Sequence, residues 1–161
     1  MMRRLRRRAG GDRGAELIEL AIVLPILLVV FAAIVDFGFL FQRYEVLTNA
    51  AREGARVGVL PGYCAADVQS RVNDYLNTSG VDATQATVTV NGVCGSATSP
   101  VTVTVTGTTH QIDVVQVLVQ YPSQFNVLGP IVGLVGGAGW TSLNLRAGSE
   151  MRLEPGAGAG S

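Results

Sequence analysis

The residue with the clearest chemical consequence is Glu19, a carboxylic acid at the beginning of a long apolar segment. An ionised carboxylate just inside a membrane helix costs several kcal/mol on some scales, so such a group is expected to meet a positive charge. An arginine-rich block leads into the junction Gly14-Ala15, and Glu19 follows this glycine by five residues. In a plainer interpretation, Glu19 lies solvated in the headgroup layer with Glu16 beside it.

Residues that could carry out catalysis are scarce. Hydrolytic sites need a nucleophile and a positioned base, but His110 is the sole histidine, has no motif around it and is predicted to lie in a loop. The motifs G-x-S-x-G and H-E-x-x-H and a phosphate-binding loop are absent from the sequence. Nothing selects one acid–base pair from the twelve carboxylates. We therefore predict no enzymatic activity, no catalytic residues and no cofactor.

The two cysteines, Cys64 and Cys94, both follow the apolar segment. In an oxidising compartment an isolated pair usually forms a disulfide. The enclosed loop of about 30 residues would contribute ~3–4 kcal/mol in the chain-entropy model. A zinc site would need two further ligands, so the sequence predicts a disulfide and no metal.

The apolar segment is long enough to cross a membrane. Residues 20–35 carry no charge, and residues 17–41 contain only two acidic residues, Glu19 and Asp36. As a helix these 25 residues would be ~37 Å long, which spans a ~30 Å hydrocarbon core with some tilt. Pro25 is expected to kink this helix at most. A buried core helix is the alternative, but the chain has too little other helix to surround it.

Charge predicts the orientation of this segment. Six arginines precede it and only Arg43 follows closely: Arg3, Arg4, Arg6, Arg7, Arg8 and Arg13. The positive-inside rule places the N-terminus in the cytoplasm and the C-terminal part outside, with the lipid bilayer as a partner. Residues 42–161 have a formal charge near −2, which gives no basis for nucleic-acid binding.

Helical periodicity continues beyond the membrane over residues 42–60. The small residues Ala50, Gly54 and Gly58 recur there at a spacing of four and predict a face for close helix packing. Two interpretations are open: the strip contacts another subunit, or it packs beneath the molecule's own sheet. Asp36 is likewise open to two interpretations, as the end of the hydrophobic span or as a partner of Arg43.

The segments after Pro61-Gly62 predict one helix followed by strands. An amphipathic helix is expected over residues 65–77, with the inward side chains Val68, Val72, Tyr75 and Leu76. Period-two alternation predicts strands at residues 86–91, 101–106, 113–121 and 141–153. The glycine-rich stretch 125–139 is either a short helix or a membrane-proximal loop.

The predicted fold class is α+β, with a long N-terminal transmembrane helix packed on a small antiparallel sheet. The expected organisation has four parts: an arginine-rich cytoplasmic leader (1–14), a transmembrane helix (15–41), an extracytoplasmic domain (42–154) and a disordered tail (155–161). About 100 residues outside the bilayer suffice for one modest core.

Three stretches of the sequence carry a resemblance to a known family: RGAELIELAIVLPILLVVFAAIVDFG, LTNAAREGARVG and TSLNLRAGSEMRLE. They resemble the TadE-like family, minor or pseudo-pilin components of tight-adherence (Flp-type) pilus systems, and this resemblance implies a pilin-like α+β fold. The N-terminal signature is similar at six positions: Gly14, Glu19, Pro25, Asp36, Phe37 and Gly38. The glycine-rich loop 126–139 departs from the pattern.

The resemblance implies cleavage between Gly14 and Ala15 by a prepilin peptidase, with glycine offering an unhindered, extended peptide. Glu19, together with Pro25 in the apolar run, would then serve subunit assembly, with the carboxylate neutralising the new ammonium group of a neighbour. The implied partners are this peptidase, other pilin or pseudopilin subunits and the pilus assembly platform. The implied location is the cytoplasmic (inner) membrane or the pilus.

Two further interpretations remain open from the residues. The chain could be an unprocessed, permanently anchored scaffold of the pilus or secretion machine. It could also be a secreted binding module released by ordinary signal peptidase near Ala32 or Ala33. The long apolar run weakens the second possibility, because signal h-regions usually have ~7–15 residues. The N-terminus of the mature protein separates the three.

Overall fold

One helix, α1 (Gly11–Gly58), dominates the molecule. The structure is a computed structural model that describes residues 11–94, 101–105, 108–134 and 142–153. The 48 residues of α1 correspond to about 72 Å of helix, and the helix continues through Pro25. The leader up to residue 10 and the tail from residue 154 lie outside the described residues.

The N-terminal half of α1 presents apolar side chains on nearly all sides. Large side chains such as Leu17, Ile26 and Phe37 are between 63% and 69% exposed. Within the described part of the chain, α1 is the one helix long and apolar enough to cross a membrane, with a mean hydropathy of 3.0 in its most apolar window. The helix therefore fits a single-pass membrane anchor, which agrees with the sequence prediction.

The C-terminal half of α1 packs into the domain, residues 42–153. It ends at Gly58, and Gly62 in the following turn has φ +88°. Helix α2 (Ala65–Thr78) confirms the helix predicted for residues 65–77. Its apolar side chains Val68, Val72 and Leu76 are fully buried, whereas Tyr75 is only partly buried.

A three-stranded antiparallel sheet covers these two helices. Its strands are β1 (Thr87–Asn91), β4 (Val114–Gln124) and β5 (Ser142–Arg152), in the order β1-β4-β5. Alternate residues of β4 are buried, as period-two patterning requires: Val115, Val117, Val119, Tyr121 and Ser123. These side chains and those of α1 and α2 form one core, and the fold is α+β as predicted.

A separate antiparallel hairpin joins β2 (Val101–Val105) to β3 (Thr108–Ile112). The prediction that His110 lies in a loop is wrong, since His110 belongs to β3 and pairs with Val103. The polar sequence TTHQI gives little strand signal alone. Pairing with the clearly alternating β2 supplies the missing stabilisation.

Strand β4 extends past the predicted end at residue 121. The sequence argues against this extension, because Pro122 cannot donate a hydrogen bond to a sheet. In the structure, β1 pairs with β4 only as far as Gln120, so Pro122 is flanked by β5 alone. Proline is tolerated there because one side of the strand is open among the described strands.

The glycine-rich connection between β4 and β5 contains a short helix, α3 (Leu128–Leu134). Of the two interpretations for residues 125–139, the short helix is therefore correct over 128–134. Residues 135–139 lie outside the described residues. Helix α3 contacts α1, which brings the connection back to the apolar helix.

Candidate functional site

The residues implied in processing lie in the first turns of α1. Gly14, Ala15 and Glu19 are all exposed, and a Cβ atom added at Gly14 would meet nothing within 4 Å. The expectation of an extended peptide at Gly14 differs from the structure, in which the helix begins at Gly11. The first helical turn lacks partners for its N–H groups, and glycine weakens a helix by about 1 kcal/mol, so this turn unwinds at low cost.

Glu19 and Pro25, in the N-terminal part of α1, have no contacts with the folded domain in the part of the chain that the structure describes. The side chain of Glu19 is exposed, and Pro25 lies within the continuous helix with exposed neighbours on both sides. Nothing in the domain covers this end of α1 in the described residues. These residues are therefore available to lipid, to an enzyme or to a second subunit.

The strip of small residues lies inside the molecule. Ala50, Gly54 and Gly58 are buried where α1 crosses α2 and β4. A Cβ atom added at Gly54 would lie 2.5 Å from Cγ2 of Val72, and one added at Gly58 would lie 2.7 Å from Cγ1 of Val115. The strip therefore packs beneath the molecule's own sheet. This is the second of the two interpretations of the sequence; the first was contact with another subunit.

Asp36 joins the apolar helix to the start of α3. Its carboxylate accepts hydrogen bonds from the backbone N–H groups of Asn126 (3.0 Å), Val127 (3.0 and 3.1 Å) and Leu128 (2.7 Å). The side chain is 2% exposed. A carboxylate is well suited to this position, because the first N–H groups of a helix have no partner within the helix.

The possible pairing of Asp36 with Arg43 does not occur in the structure. Arg43 instead donates a hydrogen bond from Nη1 to Oγ of the buried Ser123, at 2.8 Å. Asp36 and Arg43 therefore fix the two ends of one contact, in which the end of β4 and the start of α3 lie against α1. Sequence reasoning missed this role because the partners of Asp36 are backbone groups about 90 residues away. The available signal was a charged residue inside an apolar helix.

A second polar cluster fixes α2 against α1. Glu53 accepts two hydrogen bonds from Arg56, from Nε (3.0 Å) and Nη2 (2.8 Å), and two from Arg71 on α2 (3.2 and 2.9 Å). These hydrogen bonds, first from Arg56 and then from Arg71, lower the pKa of Glu53 from 4.5 to about 2. Glu53 thus stays ionised in mild acid.

We expect this cluster to stabilise the domain in a pH-dependent manner. Because the folded-state pKa is depressed, the stabilisation is complete above about pH 4.5 and is lost as the pH falls through about 2. Glu53→Gln should lower the free energy of unfolding by about 1 kcal/mol at pH 7. Urea unfolding at several pH values measures this, with the exposed Glu45→Gln as control. A constant difference down to pH 1.5 would contradict the assignment.

Cys64 and Cys94 form a disulfide in the structure. Cys64 precedes α2, and Cys94 follows β1. The bond therefore ties α2 to the sheet on the side away from the anchor. In the described ranges, no three His, Cys, Asp or Glu residues are grouped to hold a metal ion.

Comparison with known proteins bears on the segment that contains the candidate processing residues. Residues 14–56 match the TadE-like protein family. The match begins at Gly14 and covers Glu19, Asp36 and the first part of the small-residue strip. It confirms the resemblance predicted from the sequence. No curated protein and no solved structure matches the chain.

The match covers 43 of the 161 residues, so the likeness is confined to this segment of α1. The TadE-like family is one of structural components of the tight-adherence pilus, and the match to it suggests a pilus-associated protein. The matched residues form one continuous piece of α1, from its membrane anchor to the part that packs against α2. The remainder of the domain, including the sheet and α3, lies outside the match.

Proposed function

We propose that this protein is a minor pilin or pseudopilin of a tight-adherence pilus assembly and secretion system. The N-terminal leader lies in the cytoplasm, residues 15–41 cross the inner membrane, and the domain lies outside. A prepilin peptidase cleaves after Gly14, and the mature subunit is then held in the membrane or incorporated in the filament. Its partners are other pilin subunits and the assembly platform.

The observation that carries this proposal is the TadE-like match beginning at Gly14, together with an exposed Glu19 on an apolar helix. Cleavage would make Ala15 the new N-terminus and provide an ammonium group. The carboxylate of Glu19 on one subunit would pair with the ammonium of its neighbour. Such pairing offsets the cost of a charge in lipid, so it favours ordered insertion of successive subunits.

The geometry of α1 supports contacts with other subunits through the membrane half of the helix. The small-residue strip at Ala50, Gly54 and Gly58 is occupied by the subunit's own α2 and β4. The exposed apolar side chains of residues 17–34 are not occupied in this way. In a filament they would exchange contact with lipid for contact with neighbouring helices.

An unprocessed scaffold is the alternative function. The observation in its favour is that α1 is helical from Gly11, so that the proposed cleavage position lies within a helix. In that case the arginine-rich leader would stay attached and would hold the protein permanently in the membrane.

Mass spectrometry of the N-terminus decides between these functions. The protein would be extracted from membranes of cells with the pilus machinery intact and of cells lacking the prepilin peptidase. We expect a peptidase-dependent start at Ala15. An intact start at Met1 or Met2 in both strains would leave the scaffold. A start near Ala33 would instead mean an ordinary secreted domain.

We further expect Glu19→Gln to reduce incorporation into filaments at least tenfold, which corresponds to about 1.4 kcal/mol. Cleavage after Gly14 should be unchanged in this variant. Immunoblotting of sheared filaments and membranes measures both. The matched control is Glu16→Gln, which removes a neighbouring exposed carboxylate. Equal loss in the two variants would mean that general charge, and not the position of Glu19, matters.

A further inference from the structure

The connection between β4 and β5 is unusually apolar for a segment outside the anchor. No charged residue occurs between Asp113 and Arg146. Two of its large apolar side chains are exposed, Val127 (39%) and Ile131 (41%), and so is Leu143 (47%), the second residue of β5. A cluster of this kind, placed on one end of a domain, marks a surface for a partner.

The partner of this surface follows from the depth at which α3 lies along the apolar half of α1. Asp36 holds the start of α3 through three backbone N–H groups, and Asp36 lies about 7.5 Å of helix rise before residue 41, the end of the apolar segment. The α1 side chains Ile34 and Phe37, on other faces of the helix at the same depth, are 65% and 69% exposed. The start of α3 thus lies at the depth of the exposed apolar segment of α1.

We propose that residues 125–134 form a second membrane contact, with α3 immersed in the outer interface of the bilayer beside α1. The occupant of this surface is lipid, at the boundary between headgroups and acyl chains, where the apolar face of an interfacial helix lies about 5–10 Å deep. This inference rests on the proposed anchoring of α1 in the membrane. It adds a second point of attachment, which fixes the rotation of the domain about the helix axis.

The hydrogen bonds of Asp36 make such immersion physically possible. Backbone N–H groups without partners are costly in lipid, and the start of a helix exposes up to four of them. Asp36 accepts hydrogen bonds from the N–H group of Leu128, the first residue of α3, and from those of Asn126 and Val127 just before it. The segment 126–128 therefore approaches the bilayer with these N–H groups already paired.

Spin labels on the full-length chain test the depth of α3. Single variants Ile131→Cys and Gly133→Cys would be labelled with a nitroxide, with the native disulfide intact, and reconstituted in vesicles of phosphatidylethanolamine and phosphatidylglycerol. Gly133 is a useful second position because an added Cβ meets nothing within 4 Å. The controls are Leu27→Cys in the anchor and Asp74→Cys on the exposed face of α2. Collision rates with oxygen and with a water-soluble nickel chelate report lipid and water exposure.

We expect the labels at positions 131 and 133 to collide several-fold more with oxygen, relative to the nickel chelate, than the label at position 74. Aqueous values at both positions, with a lipid value at position 27, would overturn the membrane contact while the anchor stands. An aqueous value at position 27 would overturn the anchor itself. Protection from both reagents at position 131 would also overturn the proposal, since it would show a protein partner on α3.

Discussion

Asp36→Ala is expected to lower the free energy of unfolding of the domain by about 4 kcal/mol. The substitution leaves three backbone N–H groups without their acceptor, at Asn126, Val127 and Leu128. Each unsatisfied, desolvated donor costs about 1–3 kcal/mol. The loss should also release the start of α3 from α1, so the connection should become sensitive to protease.

Urea-dependent proteolysis of the full chain in detergent micelles measures this effect. Asp74→Ala is the control, because it removes an exposed carboxylate from α2 that has no comparable contact with α3. Asp36→Asn should give an intermediate loss, since an amide keeps one acceptor oxygen but adds N–H donors. If Asp36→Ala were no more destabilising than Asp74→Ala, the four hydrogen bonds would not stabilise the domain.

Gly54→Val is expected to destabilise the domain by about 3–4 kcal/mol, at or above the usual cost of overpacking a core. The first added carbon would already lie 2.5 Å from Cγ2 of Val72 and 3.4 Å from Cγ1 of Val117. Both neighbours are β-branched side chains on packed elements, so neither can turn away without a backbone shift. The expected response is separation of α2 from α1.

Gly38→Val provides a matched control for this substitution on the same helix. A Cβ atom at Gly38 would meet nothing within 4 Å, so we expect a change within about 0.5 kcal/mol. Thermal unfolding of the two variants in the same micelles measures the difference. Equal melting temperatures would show that the small-residue strip is not closely packed in the subunit, and would return it to the role of a surface between subunits.

Elements whose pattern is set by nearby residues could be predicted from the sequence. The spacing of Val68, Val72 and Leu76 predicts α2, and strict alternation predicts β1, β2 and much of β4. The continuation of α1 past the apolar segment also follows from periodicity. In these cases burial of one face decides the structure, and the residues that are buried carry the signal themselves.

Features that depend on distant contacts could not be predicted. The acceptor role of Asp36 needs backbone N–H groups about 90 residues away, and backbone groups leave no mark in a sequence pattern. Strand β3 forms because β2 is beside it. The small residues Gly54 and Gly58 are compatible both with a helix contact inside the subunit and with a contact between subunits. Only the placement of Val72 and Val115 separates the two.

The sequence predicts a position for the candidate processing site but not the conformation of its residues. The types and spacing of Gly14, Ala15 and Glu19 are enough to identify the segment, and the TadE-like match begins at the same glycine. The helical turn at Gly11–Gly14 was not anticipated, because the arginines and glycines before it are poor indicators of where a helix begins.

The unbroken course of α1 gives the subunit the properties of a stiff rod. Its C-terminal half is built into the core, so the domain has no hinge at the point where the helix leaves the bilayer. A force along the helix axis is therefore transmitted directly from the domain to the apolar half of α1. Pro25, deep in the apolar half, is the one position in α1 where a missing hydrogen bond allows the rod to bend. A load applied to the domain would therefore be relieved by bending at Pro25, in the apolar half of the helix.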